Sequence, residues 1–327
     1  METITGDLPK PPVPFTTGRA FTVRSHVTPP PTLVTRDCCR NFHHGREERA
    51  RLPPVARSLK HPPLLGDLGS DIVEFEILDP IKVGDGHNAQ VFNVRILNAQ
   101  PNSEVFHGRK ELVAKVYDPL YLDDDDGFLN PFLCVDKHYT HEVHAYRVLS
   151  NLQGNLIPRF YGSYSLDIRC EGTDYESETR TVRLILIERI PGVSMREVDP
   201  SKIPQPDRQQ MIRSVIDFET EVYRRDIILT DLSPRNVMMV PPGCHPGGNL
   251  IFLDFGGAIF NRRLDEPVLA HLELFLGQYI SPLIRWNEPR MLEFEDWVDW
   301  EWTPWVESEY AHTADTITPE MRAWYCP

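Results

Sequence analysis

The stretch that decides the predicted fold is LTDLSPRN at residues 229–236, followed by LIFLDFG at residues 250–256. Asp231 and Asn236 lie in a predicted loop after a long amphipathic helix, and Asp254 directly follows an apolar strand. A carboxylate at the end of a buried strand is costly unless it is paired or bound to a metal ion. Mg²⁺ takes one or two hard oxygen ligands from protein and completes its shell with phosphate and water. The pattern predicts that Asn236 and Asp254 bind Mg²⁺, which leaves Asp231 as a base or a substrate-orienting group.

A second group of residues lies in the N-terminal half. Lys115 stands in the middle of the apolar strand predicted at 111–117, where a lysine needs an anionic partner. Glu142 is the acidic residue of the helix predicted at 138–149, and it shares a face with Tyr146 and Leu149. If that face packs on the sheet, Glu142 approaches Lys115. The pair would then hold the ammonium group where phosphates could meet it.

Glycines precede this strand. Gly84 and Gly86 separate two alternating runs, which predicts a strand, a glycine turn and a second strand. Glycine lets a backbone approach phosphate groups closely. A simple hairpin turn is the alternative interpretation.

Together these segments resemble the signature of the protein-kinase superfamily. The resemblance is carried by GDGHNAQV at 84–91, LVAK at 112–115, Glu142, LTDLSPRN at 229–236 and DFG at 254–256. The tail, with ISPLIRW at 280–286 and ITPEMR at 317–322, looks like short, mostly uncharacterised kinase-like proteins of filamentous fungi.

The resemblance implies the function of an ATP-dependent phosphotransferase, with ATP and Mg²⁺ bound between two lobes. The γ-phosphate would pass to a hydroxyl of an unknown protein or small-molecule acceptor. Asp231 would accept the hydroxyl proton, Lys115 would position phosphates, Glu142 would hold Lys115, and Arg235 would reach the transferring phosphate. Asn236 and Asp254 would bind the metal. The cofactor-binding positions implied are Gly84, Gly86, Val91, Val113, Lys115, Glu188 and Ile190.

The resemblance also implies the fold class, α+β and bilobal. We expect a disordered proline-rich arm at 1–68, a strand-rich N-lobe with one helix at 69–189, and a shortened helical C-lobe with a Trp-rich tail at 190–327. The arm is predicted to be disordered because prolines recur in it without sustained hydrophobic periodicity.

Departures from the signature keep an alternative open. Leu229 and Thr230 replace the usual His and Arg of the catalytic loop, and no Ala-Pro-Glu motif follows Asp254. These changes favour a pseudokinase, a nucleotide-binding or protein-interaction module. The retained Lys115, Asp231, Asn236 and Asp254 favour the enzyme.

Composition limits the partners. The net charge is −14, although residues 1–66 carry ten basic and five acidic residues. An acidic body discourages nucleic acid as a partner. Six scattered cysteines, no leader pattern and short apolar runs predict an intracellular protein, cytoplasmic or nuclear, without a membrane partner.

Two metal interpretations are weaker. A zinc site at Cys38, Cys39, His43 and His44 matches no usual spacing. The run of aspartates at 123–126 is typical of a solvated loop.

Overall fold

The computed structural model describes residues 10–35, 37–101, 106, 111–122, 128–170, 174–246, 248–260 and 278–325. The aspartate run at 123–126 and Cys326 lie outside this described part. The chain divides into two compact units, one of 1–32, 37–144 and 159–189, the other of 33–36, 145–158 and 190–327.

The first unit is built on a closed antiparallel barrel of six strands. The strands are β1 (Ala20–Val27), β2 (Asp67–Lys82), β3 (Gln90–Gln100), β4 (Glu111–Tyr117), β5 (Phe160–Arg169) and β6 (Thr179–Glu188). Their order around the barrel is β1-β2-β3-β4-β6-β5, and β1 pairs again with β5 through Arg24 opposite Ser165. Register shifts along β2 bend this 16-residue strand, which helps the sheet to close.

Alternate residues of each strand fill the barrel, because successive side chains of a strand point to opposite faces. The interior cluster includes Val23 from β1, Phe75 from β2, Phe92 from β3, Ala114 from β4 and Leu184 from β6. Phe15, which precedes β1, stacks on Phe92 with ring centroids 5.4 Å apart.

The predicted bilobal kinase-like fold is therefore wrong. A closed six-stranded barrel accompanied by helices stands where a strand-rich N-lobe with one helix was expected. The predicted disordered arm is wrong as well over its described residues, because β1 comes from this segment. The run from 15 to 28 contains no proline, and its Phe21 and Val23 alternate with polar residues. The high proline content on either side hid this short strand pattern.

Helices accompany the barrel. The segment after β1 forms α1 (His43–Arg51) and α2 (Pro54–Lys60), and α3 (Pro131–Val148) follows β4. The tyrosines of β4 and α3, Tyr117 and Tyr139, lie with ring centroids 5.4 Å apart. Tyr139 also contacts His26 of β1, whose Nδ1 lies 2.7 Å from the tyrosine oxygen. These contacts place α3 on the outer face of the barrel.

The second unit combines short strands with helices. The strands are β7 (Val193–Ser194), β8 (Ile228–Leu229), β9 (Val237–Met239), β10 (Leu250–Phe252) and β11 (Ala258–Ile259). They form two small sheets, with orders β10-β9-β7 and β11-β8. The long helix α4 (Gln205–Tyr223) packs on β10, where the rings of Phe218 and Phe252 stack 3.8 Å apart.

The C-terminal part consists of short helices around tryptophan. They are α5 (Pro282–Arg285), α6 (Glu288–Met291), α7 (Trp302–Glu309) and α8 (Pro319–Tyr325). Trp286 is buried, and its Nε1 donates to Glu219 on α4 at 3.0 Å. Trp302 donates in turn to the Trp286 carbonyl at 3.1 Å. These two hydrogen bonds anchor the tail to α4 through buried tryptophans.

Candidate functional site

Lys115 lies on the outer face of β4. Its neighbours Leu112, Ala114 and Val116 point into the barrel. Because side chains alternate along a strand, Val113, Lys115 and Tyr117 occupy the other face. This is the face on which α3 packs, and Glu142 is on α3.

Lys115 and Glu142 form a buried ion pair. The Nζ atom of Lys115 lies 2.6 Å from Oε2 of Glu142, and the side chains are 11% and 1% exposed. The Tyr117 hydroxyl donates to the same Oε2 at 2.5 Å, and the Lys115 ammonium lies 5.7 Å from the Tyr117 ring centroid. Two donors on one carboxylate oxygen fix the position of the ammonium group. An ammonium held in this way is a suitable partner for a phosphate.

Sequence reasoning missed the part played by Tyr117. The signal was available, because a residue two positions after Lys115 on a strand must share its face. The tyrosine was instead grouped with the apolar residues of the strand.

The glycine turn between β2 and β3 has left-handed backbone at both glycines, with φ of 151° at Gly84 and 81° at Gly86. The Gln90 side chain closes the turn: Gly84 N donates to its Oε1 at 2.7 Å, and its Nε2 donates to the Gly84 carbonyl at 2.8 Å. The Gly86 amide donates to the Tyr121 carbonyl at 2.9 Å. Both glycine N–H groups are therefore engaged within the protein, which weakens the expectation that they bind phosphate in this arrangement.

The remaining predicted cofactor-binding residues lie in strands, except Ile190, which lies between β6 and β7. Val91 pairs with Lys115 across β3 and β4, and Val113 shares the Lys115 face. Glu188 ends β6, and its Oε2 accepts from the Arg159 amide at 3.0 Å. Ile190 begins the next segment of the second unit.

The second unit gathers Asp231, Asn236 and Asp254. Asp231 follows β8 and Asn236 precedes β9. The Asn236 Nδ2 donates to the Asp231 carbonyl at 2.8 Å, which closes the loop between them. Antiparallel pairing of β9 with β10 continues to the Asn236 carbonyl, which accepts from Leu253 N at 2.8 Å. Asp254 therefore lies at the same end of the β9–β10 pair as Asn236. Asp231 and Asp254 line one small concavity.

The backbone is unusual at Asp254, which has φ of 62°. Left-handed backbone is uncommon for residues other than glycine and is found where the surroundings enforce it. Phe255 is buried against Tyr146, with ring centroids 5.4 Å apart in an edge-to-face arrangement. Phe255 is thus buried, whereas the preceding Asp254 is exposed.

These residues fit a Mg²⁺ ion in their chemistry. Because Nδ2 of Asn236 is used by the Asp231 carbonyl, Oδ1 is the atom left to act as a ligand. The Asp254 carboxylate is exposed and accepts a long 3.4 Å contact from Gly256 N. One amide oxygen and one carboxylate match the small protein contribution that Mg²⁺ usually receives.

Arg235 forms an ion pair with Asp231. Its Nη2 donates to Asp231 Oδ1 as an ion pair between half-exposed side chains. This hydrogen bond raises the pKa of Arg235, and the charges of Asp231 and Asp254 act in the same direction. The loop is also held from outside, because the Ser194 hydroxyl donates to the Pro234 carbonyl at 3.0 Å. Arg235 thus positions the predicted base rather than standing free.

The remaining predictions concern a zinc site near Cys38 and a membrane span. Cys38 and Cys39 lie with their sulfur atoms 3.9 Å apart. Among the residues with described positions, no group of three or more His, Cys, Asp or Glu could hold a metal ion. None of the helices in that part of the chain is both long and apolar enough to cross a membrane.

No protein-family model matches the chain, and no curated protein matches its sequence.

Proposed function

We propose that this protein is an ATP-dependent phosphotransferase that moves the γ-phosphate of ATP to a hydroxyl group. The observation that carries the proposal is the gathering of Asp231, Asn236 and Asp254 by the β9–β10 ladder and by the hydrogen bond from Asn236 to the Asp231 carbonyl. The proposal concerns the reaction. The resemblance to the protein-kinase superfamily stays a prediction that rests on the five sequence motifs.

The roles follow from the chemistry of phosphoryl transfer, in which positioning and electrostatics supply most of the rate. Lys115 would hold phosphate oxygens, and Glu142 with Tyr117 would fix its ammonium group. Asn236 Oδ1 and Asp254 would hold Mg²⁺, which supplies positive charge that neutralises the phosphates.

The proton is accounted for at Asp231. The acceptor hydroxyl would give its proton to the carboxylate while its oxygen forms a bond to the γ-phosphorus. The bond from that phosphorus to the bridging oxygen breaks, and its electron pair leaves on ADP. Arg235 holds Oδ1 of Asp231, so the other carboxylate oxygen would receive the proton.

A second candidate is a nucleotide-binding module without transfer. The observation that favours it is the ion pair between Arg235 and Asp231, which occupies the predicted base. Both candidates would bind the nucleotide, but only the phosphotransferase would turn it over.

The test separates binding from turnover. Thermal unfolding is measured with and without Mg-ATP for the wild type and for the double variant Lys115→Met/Glu142→Gln. The double variant removes both charges together, because loss of one alone leaves the other buried and unpaired. We expect ATP to stabilise the wild type, by about 2.7 kcal/mol at 100 times its dissociation constant, and to leave the double variant unchanged. No ATP effect on the wild type would reject both candidates.

Turnover is then followed as ADP release in the presence of a hydroxyl acceptor. Asp231→Asn is expected to lose turnover and keep the ATP effect. Asp207→Asn, an exposed carboxylate on α4, is the matched control and should keep both. Equal turnover in Asp231→Asn and wild type would exclude the role of Asp231. ATP stabilisation without turnover in the wild type would select the binding module.

A further inference from the structure

Two cysteines of the first unit lie close together at the start of α3. Cys39 precedes α1, and Cys134 is in the first turn of α3. Their segments pair through the backbone, because Arg40 forms an antiparallel bridge with Leu129. The Asn130 amide donates to the Cys39 carbonyl at 2.9 Å, and the Asn130 carbonyl accepts from the Cys134 amide at 2.9 Å. The backbone thus holds both cysteines against the same residue.

The two thiols interact with each other and with a nearby cation. A hydrogen bond from the Cys39 thiol to the Cys134 sulfur raises the pKa of Cys39 and lowers the pKa of Cys134. The positive charge of Lys137, on the next turn of α3, acts to lower the pKa of both thiols. Cys134 therefore loses its proton first, while Cys39 keeps its own. A thiolate is the form of cysteine that reacts as a nucleophile.

Cys38 is the competing partner of Cys39, since the two sulfur atoms lie 3.9 Å apart. Neighbouring residues have Cα atoms about 3.8 Å apart, closer than the roughly 4.4–6.8 Å found across ordinary disulfides. A bond between Cys38 and Cys39 would therefore be strained, which favours Cys134 as the partner. Cys39 is half-buried and Cys134 is 6% exposed, so a small oxidant suits this pair better than a bulky one.

We propose that Cys39 and Cys134 form a redox-active pair that hydrogen peroxide oxidises to a disulfide. The Cys134 thiolate attacks one peroxide oxygen, the O–O bond breaks, and a sulfenic acid forms as hydroxide leaves. The Cys39 thiol then attacks the sulfenic sulfur, so that the S–S bond forms and the S–O bond breaks. The oxygen leaves as water with the proton of Cys39. The two sulfurs lose two electrons in total, and these reduce the peroxide. The disulfide links segment 37–41 covalently to α3.

The test maps disulfides by mass spectrometry in the full-length wild-type chain treated with hydrogen peroxide, after the remaining free thiols are alkylated. Trypsin places Cys39 in the peptide 37–40 and Cys134 in the peptide 116–137. We expect these two peptides to be joined after peroxide and to separate after treatment with dithiothreitol. Because the bond is intramolecular, the yield of joined peptides should not change when the protein is diluted before oxidation.

Substitutions identify the sulfur, because Cys38 and Cys39 share one peptide. Cys38→Ser should keep the joined peptides, and so should the matched control Cys244→Ser, which replaces an exposed cysteine of the second unit. Cys39→Ser should lose them. Joined peptides that persist in Cys39→Ser, or that disappear on dilution of the wild type, would overturn the proposal. So would wild-type peptides that stay apart at a peroxide dose that oxidises Cys244.

Discussion

Replacing Val23 with alanine tests whether β1 closes the barrel. Val23 is 1% exposed in the barrel interior and pairs with Val73 on β2. The change removes two buried methyl groups, worth about 1.6 kcal/mol in transfer free energy. The cavity left behind raises the expected loss to about 2–3 kcal/mol. Val27→Ala on the same strand is the matched control, because Val27 is 55% exposed. It should change stability by less than about 0.5 kcal/mol.

Hydrogen exchange followed by mass spectrometry is the suitable assay for this change. All six tryptophans lie at or beyond residue 286, so tryptophan fluorescence does not report on the barrel. In Val23→Ala, protection of the amides of β1, β2 and β5 should fall by roughly 30- to 150-fold, the equivalent of that loss in stability. Equal protection in Val23→Ala and Val27→Ala would refute the closed barrel and return the segment to a disordered arm.

Two further predictions concern buried charge in the first unit. Burial raises the pKa of Asp136 to about 6, so the protonated carboxyl favours the folded state. The stability that protonation contributes is lost as the pH rises through about 6. In chemical denaturation above pH 6, Asp136→Asn should therefore stabilise the protein by at most about 3 kcal/mol. Near pH 4 the same substitution should have no effect. Equal effects at both pH values would contradict this prediction. The ion pair of Arg180 with Asp118, at 2.6 Å, is 5% and 0% exposed. Asp118→Asn should cost about 3–5 kcal/mol, whereas Glu111→Gln, which removes the exposed partner of Arg189, should cost less than about 1 kcal/mol.

Local patterns in the sequence predicted contacts that depend on one strand or one helix. The face argument that paired Lys115 with Glu142 agrees with their 2.6 Å contact, because alternation on β4 and helical spacing on α3 each fix a face. The catalytic roles of both residues stay predictions. The loop from Asp231 to Asn236 likewise needed only short-range information.

Closure of the barrel could not be read in the same way. Alternation in Ala20–Val27 indicates a strand, but it does not say which strand is its neighbour. Pairing of Arg24 with Ser165 joins residues far apart in sequence, and such pairing depends on the whole sheet. The proline-rich flanks then favoured disorder over a lone strand.

The structure of the glycine turn changes which residues of the predicted site are expected to bind phosphate. A turn that binds phosphate through its backbone must offer free N–H groups, yet those of Gly84 and Gly86 are taken by Gln90 and Tyr121. In the proposed function, the phosphate-binding role of the first unit therefore rests on the Lys115 ammonium. Replacing Gln90 would free the Gly84 N–H group and would test whether phosphate binding depends on Lys115 or on the turn. Because Lys115 is fixed by its partners on β4 and α3, any nucleotide affinity of this unit should depend far more on Lys115 than on the glycines.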